Sequence, residues 1–265
     1  MKLCFSTLGC CDRSINDIIS LSDSFHISAI EIRGVGGIMN NGDIEIFSQK
    51  DIPLTSALFE RKNISPIVLG TSCFFHKEEN YKNALDEGTV SVRIAEALRI
   101  PYIRVFGNRY IPSDEGCMPR IISGLRHLCS LSQNVTVLLE IHGDFTTVET
   151  VSPIIAGMAD IKNFGLIWDI EHTHKIYGND WEIFYTKFRQ YIKHVHIKDY
   201  ADAPEKLTLI GNGDIPILGI VKRMLLDGYE GYFSLEWEKK WHPELPDIEA
   251  ALTSFVTLMD QVENI

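Results

Sequence analysis

Short apolar runs rich in β-branched residues alternate with longer stretches whose apolar positions recur every three or four residues, from one end of the chain to the other. The short runs fall at residues 3–6, 29–32, 65–69, 102–106, 135–141, 165–169, 194–197 and 231–236 and read as eight strands. The longer stretches, at 14–25, 43–62, 80–98, 118–130, 148–160, 181–191, 217–227 and 248–262, read as amphipathic helices. One has a clear start signal: Ser14 with Asp17 three residues on is a capping-box variant. Eight strands, each followed by a helix, predict a closed (β/α)8 TIM barrel of the α/β class, a single domain over residues 1–265. An open doubly wound sheet would usually have fewer strands and a glycine fingerprint after the first. Here the first strand runs into FSTLGCCDRS, with no GxGxxG, and the RGVGG (33–37) and IGNGD (210–214) stretches lack the Walker Lys-Ser/Thr ending. Nucleotide binding therefore has little support.

Four of the predicted strands end in a residue that can bind a divalent cation: VLLE at Glu140, LIWD at Asp169, HVH at His196 and SLE at Glu236. The gaps of 29, 27 and 40 positions give the room a crossover helix needs between parallel strands. Parallel strands of a barrel put their C-terminal ends on one face, so these residues would converge. Taken singly, each carboxylate has a plainer reading as a helix N-cap or a surface ion-pair partner; four at the same place in four successive units favour a metal site. Three carboxylates and an imidazole suit Mn²⁺ first, with Mg²⁺, Co²⁺ or Zn²⁺ as alternatives, and suit an oxygen-rich substrate. His142, two residues past Glu140 and on the same side of an extended chain, is a candidate for binding substrate or a polar loop histidine. His172 completes a DxxH with Asp169 and can reach the same mouth. Strand alternation puts His194, His196 and Lys198 on one face. His26, His76, His127, His174 and His242 lack such a context and default to structural or solvent roles.

Bulk properties narrow the partner. With 36 acidic against 25 basic residues the formal charge is −11, which disfavours nucleic acid and leaves small neutral or metal-bridged substrates. No stretch approaches the ~20 apolar residues of a membrane helix, and MKLCFSTLGC lacks a signal-peptide h-region, so no membrane partner and a cytoplasmic location are expected. Six cysteines (Cys4, Cys10, Cys11, Cys73, Cys117, Cys129) without a CxxC pair read as reduced thiols. The adjacent Cys10 and Cys11 would form only a strained disulfide, and a mouth-facing reactive thiol is the alternative reading there.

The motifs LLEIHG, WDIEH, HVHIKD, GNGDIP and YFSLEWE resemble the xylose isomerase-like TIM barrel superfamily, specifically its sugar phosphate isomerase/epimerase group, which includes inosose dehydratases, hydroxypyruvate isomerases and ketose 3-epimerases. The resemblance spans essentially the whole chain, with EIRG at 31–34 and RVFGN at 104–108 as weaker matches. It implies that Glu140, Asp169, His196 and Glu236 bind one divalent metal, that His172 meets the substrate, that the GNGDIP loop lies near the site, and that the protein is a homodimer. Ketose 3-epimerases look to have an Arg shortly after the metal-binding His; Lys198 and Asp199 stand there instead, as in dehydratase-like and generic isomerase branches. Endonuclease IV, of the same superfamily, needs a trinuclear zinc site with histidines where this chain has GTSCFF and FGN.

The expected activity is that of a divalent-metal-dependent isomerase or epimerase acting on a sugar, sugar phosphate or keto-polyol. Chelation of a carbonyl and its neighbouring hydroxyl acidifies the C–H between them; Glu140 or Glu236 would remove that proton to give a metal-stabilised enediolate. An inosose dehydratase-like lyase and a sugar-binding barrel without turnover are the alternatives. Lys198 is a candidate for polarising the carbonyl or binding a substrate carboxylate, against a solvent-facing lysine with no role. Trp168, Trp237 and Phe74 are candidates for stacking on a sugar, against ordinary core packing.

Overall fold

The chain threads βα units in sequence order, and the computed structural model describes residues 1–203 and 205–263. The barrel strands are β1 (Lys2–Ser6), β2 (Ala29–Ile32), β3 (Ser65–Phe74), β4 (Tyr102–Phe106), β5 (Thr136–Glu140), β6 (Phe164–Asp169), β7 (Ile192–Ile197) and, after a short antiparallel hairpin of β8 (Asp199–Asp202) and β9 (Glu205–Thr208), β10 (Tyr232–Leu235). Neighbours pair in parallel around a closed ring, β1-β2-β3-β4-β5-β6-β7-β10 and back to β1. The helices are α1 (Ile15–Ser24), α2 (Ile52–Arg61), α3 (Glu78–Leu98), α4 (Cys117–Ser130), α5 (Val148–Gly157), α6 (Ile170–Tyr177), α7 (Glu182–Phe188), α8 (Ile217–Leu226) and α9 (Ile248–Glu263). The chain is a (β/α)8 TIM barrel of the α/β class, as the alternation of runs predicts. Among the described residues no helix is long and apolar enough to cross a membrane.

One local expectation needs correction, and two elements add to the predicted set. Residues 43–62 are not one helix: two 3-10 turns, Asn41–Asp43 and Glu45–Phe47, precede α2, which starts where Pro53 can sit in a first turn without a lost hydrogen bond. Residues 170–177 form an extra helix, because Asp169 caps it as soon as β6 ends. Asp199–Asp202 and Glu205–Thr208 pair antiparallel as β8 and β9, an addition to the eight predicted strands. The first residue of β8, Asp199, is buried and its carboxylate accepts from the backbone N–H of Gly211 (2.8 Å) and Gly213 (2.9 Å), anchoring the GNGDIP loop beside the C-terminal end of β7. Any side chain at Gly213 would strike that carboxylate, since a Cβ there would lie 2.2 Å from Asp199 Oδ1.

The core divides in two. Most buried apolar residues lie between strands and helices, whereas Cys4, Ala29, Ile67, Val68, Leu138 and Ile167, with Tyr102 and Tyr232 against them, form a separate cluster contributed only by barrel strands. This inner cluster plugs the barrel. Two residues further along six of the strands, on the same face, the side chains turn polar: Cys4 gives way to Ser6, Ala29 to Glu31, Tyr102 to Arg104, Leu138 to Glu140, Ile167 to Asp169 and Tyr232 to Ser234. A single step of period two thus separates an apolar floor from a charged layer.

The entry into β6 is fixed by Asn163, whose buried Nδ2 lies within hydrogen-bond distance of the carbonyls of Cys129 (2.8 Å), Ser132 (2.8 Å) and Val135 (3.1 Å). Asn163→Ala strands these acceptors, and a loss of about 1–3 kcal/mol is expected, read as a lower urea midpoint at unchanged slope. An unmoved midpoint would show that the amide does not secure this corner.

Candidate metal and substrate site

The charged layer brings the four strand-end candidates together. One ligand atom each from Glu140, Asp169, His196 and Glu236 lies within 4.8 Å of the others, and all four side chains are buried. Strand register does much of this: Asp169 on β6 pairs with His196 on β7, and His196 pairs with Ser234 on β10, two residues before Glu236. His196 Nδ1 faces Glu140 Oε1 at 3.1 Å, Glu236 Oε2 at 3.4 Å and Asp169 Oδ2 at 4.0 Å. Asp169 performs two tasks at once. Its Oδ1 accepts from the N–H of Glu171 and His172 and so caps α6, while Oδ2 points at the cluster, which makes the N-cap and ligand readings of this residue compatible.

Two cations hold the carboxylates. Lys198 Nζ is buried 2.8 Å from Asp169 Oδ2 and 2.7 Å from Glu236 Oε2, and also pairs with Glu238. It is not a solvent-facing lysine. Arg104, only 1% exposed, sets Nε 3.2 Å from Glu140 Oε2 and donates from Nη1 to the Thr71 carbonyl at 3.0 Å. Burial pushes the Glu140 carboxyl up, but Arg104 and His196 together outweigh it and bring the group down to about 2. For Asp169 the balance goes the other way: burial raises it to about 7 despite Lys198. The His196 imidazole is disfavoured as a cation by burial, yet Glu236, Glu31 and Glu140 around it hold its proton well above the usual range.

Glu31 on β2, within what is only a weak motif match along the chain, is a further partner in the site. Its Oε2 lies 3.0 Å from Nε2 of both His194 and His196 and 3.4 Å from Ser234 Oγ. A carboxylate at Nε2 fixes the proton of His196 on that nitrogen, leaving Nδ1 to face the cluster. Glu31 and Arg104 carry the same sequence signal, a charge inside an otherwise apolar strand (AIEI, YIRVF). A buried charge without a partner is costly, so such residues mark a polar interior.

His142 and His172 meet edge to face, 4.4 Å between ring centroids, at the rim of the same site. His142 Nδ1 and His172 Nε2 are buried without a hydrogen-bond partner, and burial lowers both imidazoles, so both are neutral rings with a free nitrogen. A cavity of about 350 Å³ opens onto the cluster, lined by Arg33, Phe74, Phe106, His142, Glu140 and Glu236 among others. Phe74 thus lines the cleft. Trp168 does not: it packs against Tyr185, Phe184 and Trp181 of the outer layer and donates from Nε1 to Thr173. Trp237 is likewise buried, its Nε1 donating to the Pro246 carbonyl; Trp241 is the tryptophan at the cleft. All six cysteines are free and buried, and burial pushes the Cys10 thiol up to about 12, which removes the reactive-thiol reading there.

The family of the chain follows from its sequence as well as its architecture. The sequence model of the family described as Xylose isomerase-like TIM barrel matches residues 28–257, and the protein belongs to that family. No functionally curated protein is similar to it at a significant level. Among solved structures, the probable 3-DHS dehydratase AsbF, involved in petrobactin synthesis, from Bacillus anthracis superposes with a TM-score of 0.78 at 16% identity, covering 96% of this chain and 98% of that one. A D-tagatose 3-epimerase-like protein matches at TM-score 0.77 and 21% identity over 99% and 97% of the two chains. The IOLI protein, solved with a binding zinc atom, matches at TM-score 0.77 and 20% identity over 100% and 99%. At these identities the likeness is one of fold.

The contact from Glu31 to His196 can be checked directly. Glu31→Gln keeps an acceptor but loses the charge; an approximately tenfold or greater weakening of Mn²⁺ binding is expected in calorimetry, with the far-UV circular dichroism unchanged. Unaltered affinity would assign Glu31 to packing alone.

Proposed function

We propose that the protein is a divalent-metal-dependent isomerase or epimerase acting on a sugar, sugar phosphate or keto-polyol. The observation that carries this reading is His196 Nδ1 facing three carboxylate oxygens with its other nitrogen engaged by Glu31. A lone pair aimed at three anions is repulsive, so a positive charge belongs between them: a proton in the free protein, a divalent cation in the working one. Glu140, Asp169, His196 and Glu236 fit the cation by number and kind of donor, with Mn²⁺ first and Mg²⁺, Co²⁺ or Zn²⁺ as alternatives. When bound, the metal polarises a substrate carbonyl and its neighbouring hydroxyl and acidifies the C–H between them.

The protein's own groups do the rest. Glu140 and Glu236 both line the cleft and are the groups that remove the proton and return it to the neighbouring carbon or the opposite face. Arg104 keeps Glu140 ionised and fixes its orientation through Oε2. Neutral His142 and His172 offer their unpartnered nitrogens to substrate hydroxyls. Lys198, in the cleft beside Asp169 and Glu236, is placed to donate to a substrate oxygen. Loss of water after the same proton removal is the second reading, favoured by the Lys198–Glu238 pair, an ammonium placed in the cleft to protonate a departing hydroxyl.

Protein purified without chelator should hold close to one divalent ion per chain by elemental analysis. On a substrate found by a ketose and polyol panel, Glu140→Gln and Glu236→Gln should each lower solvent deuterium exchange at the reacting carbon by about 10²–10⁴-fold. Full exchange in both variants, or no divalent ion bound at near-stoichiometric Mn²⁺, would sink the proposal. An enone or dione among the products would select the lyase.

A further inference from the structure

The cleft also contains a buried cation that no carboxylate meets at ion-pair distance among the described residues. Arg33 follows β2 on the same face as Glu31, one layer nearer the mouth, and is only 5% exposed. Its Nη1 donates to the Met39 carbonyl at 3.2 Å and its Nη2 to Ser72 Oγ at 2.9 Å. Those two bonds use two of five N–H groups, and both acceptors are neutral. Among the described residues no carboxylate pairs with it; Glu87, near at hand, instead accepts from the Ser72 N–H at 2.6 Å. Arg104, by contrast, has its charge met by Glu140.

The placement of Arg33 is built rather than incidental. Gly70 on β3 leaves the space for it: a Cβ there would lie 2.7 Å from Arg33 Cδ and 3.4 Å from Arg104 Nη2. Burial, with the nearby Arg104 adding to the effect, lowers the Arg33 guanidinium to about 10, more than the pull of Glu87, Glu236 and Glu140 restores. Both Arg33 and Ser72 line the cavity that opens on Glu140 and Glu236. In the ring of eight strands β2 stands opposite β6, so Arg33 and Asp169 lie on opposing walls.

We propose that Arg33, with Ser72 beside it, binds an anionic group of the substrate, carboxylate or phosphate, at the end of the molecule remote from the metal-chelating oxygens. The substrate is then a sugar acid or sugar phosphate rather than a neutral sugar. This inference rests on the metal-dependent reading of the same cleft and adds its missing specificity. Charge supports it: a guanidinium buried without a carboxylate gains from an oxyanion what a neutral hydroxyl cannot supply, a charge-assisted and directional pair.

Three probes that share one ketose end and differ only at the far terminal carbon separate the cases: D-fructose, D-fructose 6-phosphate and D-fructuronate, titrated calorimetrically into Mn²⁺-loaded protein. At least one charged probe should bind about tenfold or more tightly than D-fructose, and which one does so distinguishes phosphate from carboxylate. Arg33→Gln should bring that probe to within about twofold of D-fructose, with Arg33→Lys between, while Mn²⁺ affinity stays within about twofold of wild type. Charged probes no tighter than D-fructose, including no binding by any of them, overturn the proposal, as does a preference that survives in Arg33→Gln. The same titrations on chelator-treated protein keep the two readings apart: an Arg33-dependent preference that persists there upholds the anion site by itself, whereas failure of the protein to bind Mn²⁺ counts against the metal alone.

Discussion

Lys198 Nζ lies between Asp169 Oδ2 and Glu236 Oε2, 2.8 and 2.7 Å away, in a barrel mouth where all three side chains are nearly inaccessible to water. Everything else at this end of the molecule depends on that pairing and its counterpart between Arg104 and Glu140. Three carboxylates this close would repel one another strongly in a medium of low dielectric. The two cations neutralise part of that charge, and breaking such a buried pair from one side costs about 3–5 kcal/mol. The arrangement is therefore tied to the stability of the barrel.

The apolar floor explains why this crowding stays local. Cys4, Ala29, Ile67, Val68, Leu138 and Ile167 close the barrel one side-chain layer below the charges, so water has no passage through the axis and the charged layer is reached only from the mouth. Above it, each group is fixed by a second contact: Asp169 by the cap it makes on α6, His196 by Glu31, and the 211–216 loop by Asp199. Side chains whose rotamers are locked in this way hold the geometry of the cluster, which lowers the reorganisation that binding at the site would require.

The relatives with solved structures include proteins titled as a dehydratase and as an epimerase-like protein on the same fold. One fold carries these differing names, and the residues that line the cleft are where such proteins can differ. In this chain the wall facing the ligands is cationic at Arg33 and aromatic at Phe74, Phe106 and Trp241. Lys198 and Asp199 stand directly after β7, the latter committed to anchoring a loop rather than to meeting substrate.

Glu140, Asp169, His196 and Glu236 are legible in the amino-acid sequence because a strand's apolar run makes its final ligand-type residue conspicuous, and because period and spacing alone define eight strands with parallel crossovers. The same period hides Glu31 and Arg104 in plain view: each is a charge inside a strand, but a sequence does not say which partner removes its cost. The extra helix after Asp169 and the β8–β9 hairpin escape a reading by pattern because a cap and a short ladder depend on local hydrogen bonds that leave little periodic trace. Trp168 and Trp237 are open to misassignment because strand alternation gives two faces and not which one is inside. Sequence thus determined the barrel and the four-residue set, since both follow from one-dimensional repetition. Only the tertiary structure decided that Glu31 sets the orientation of His196, that Lys198 is enclosed by carboxylates, and that Arg33 is left without one, because pairing of charges across a ring of strands is a matter of distance between residues far apart in the chain.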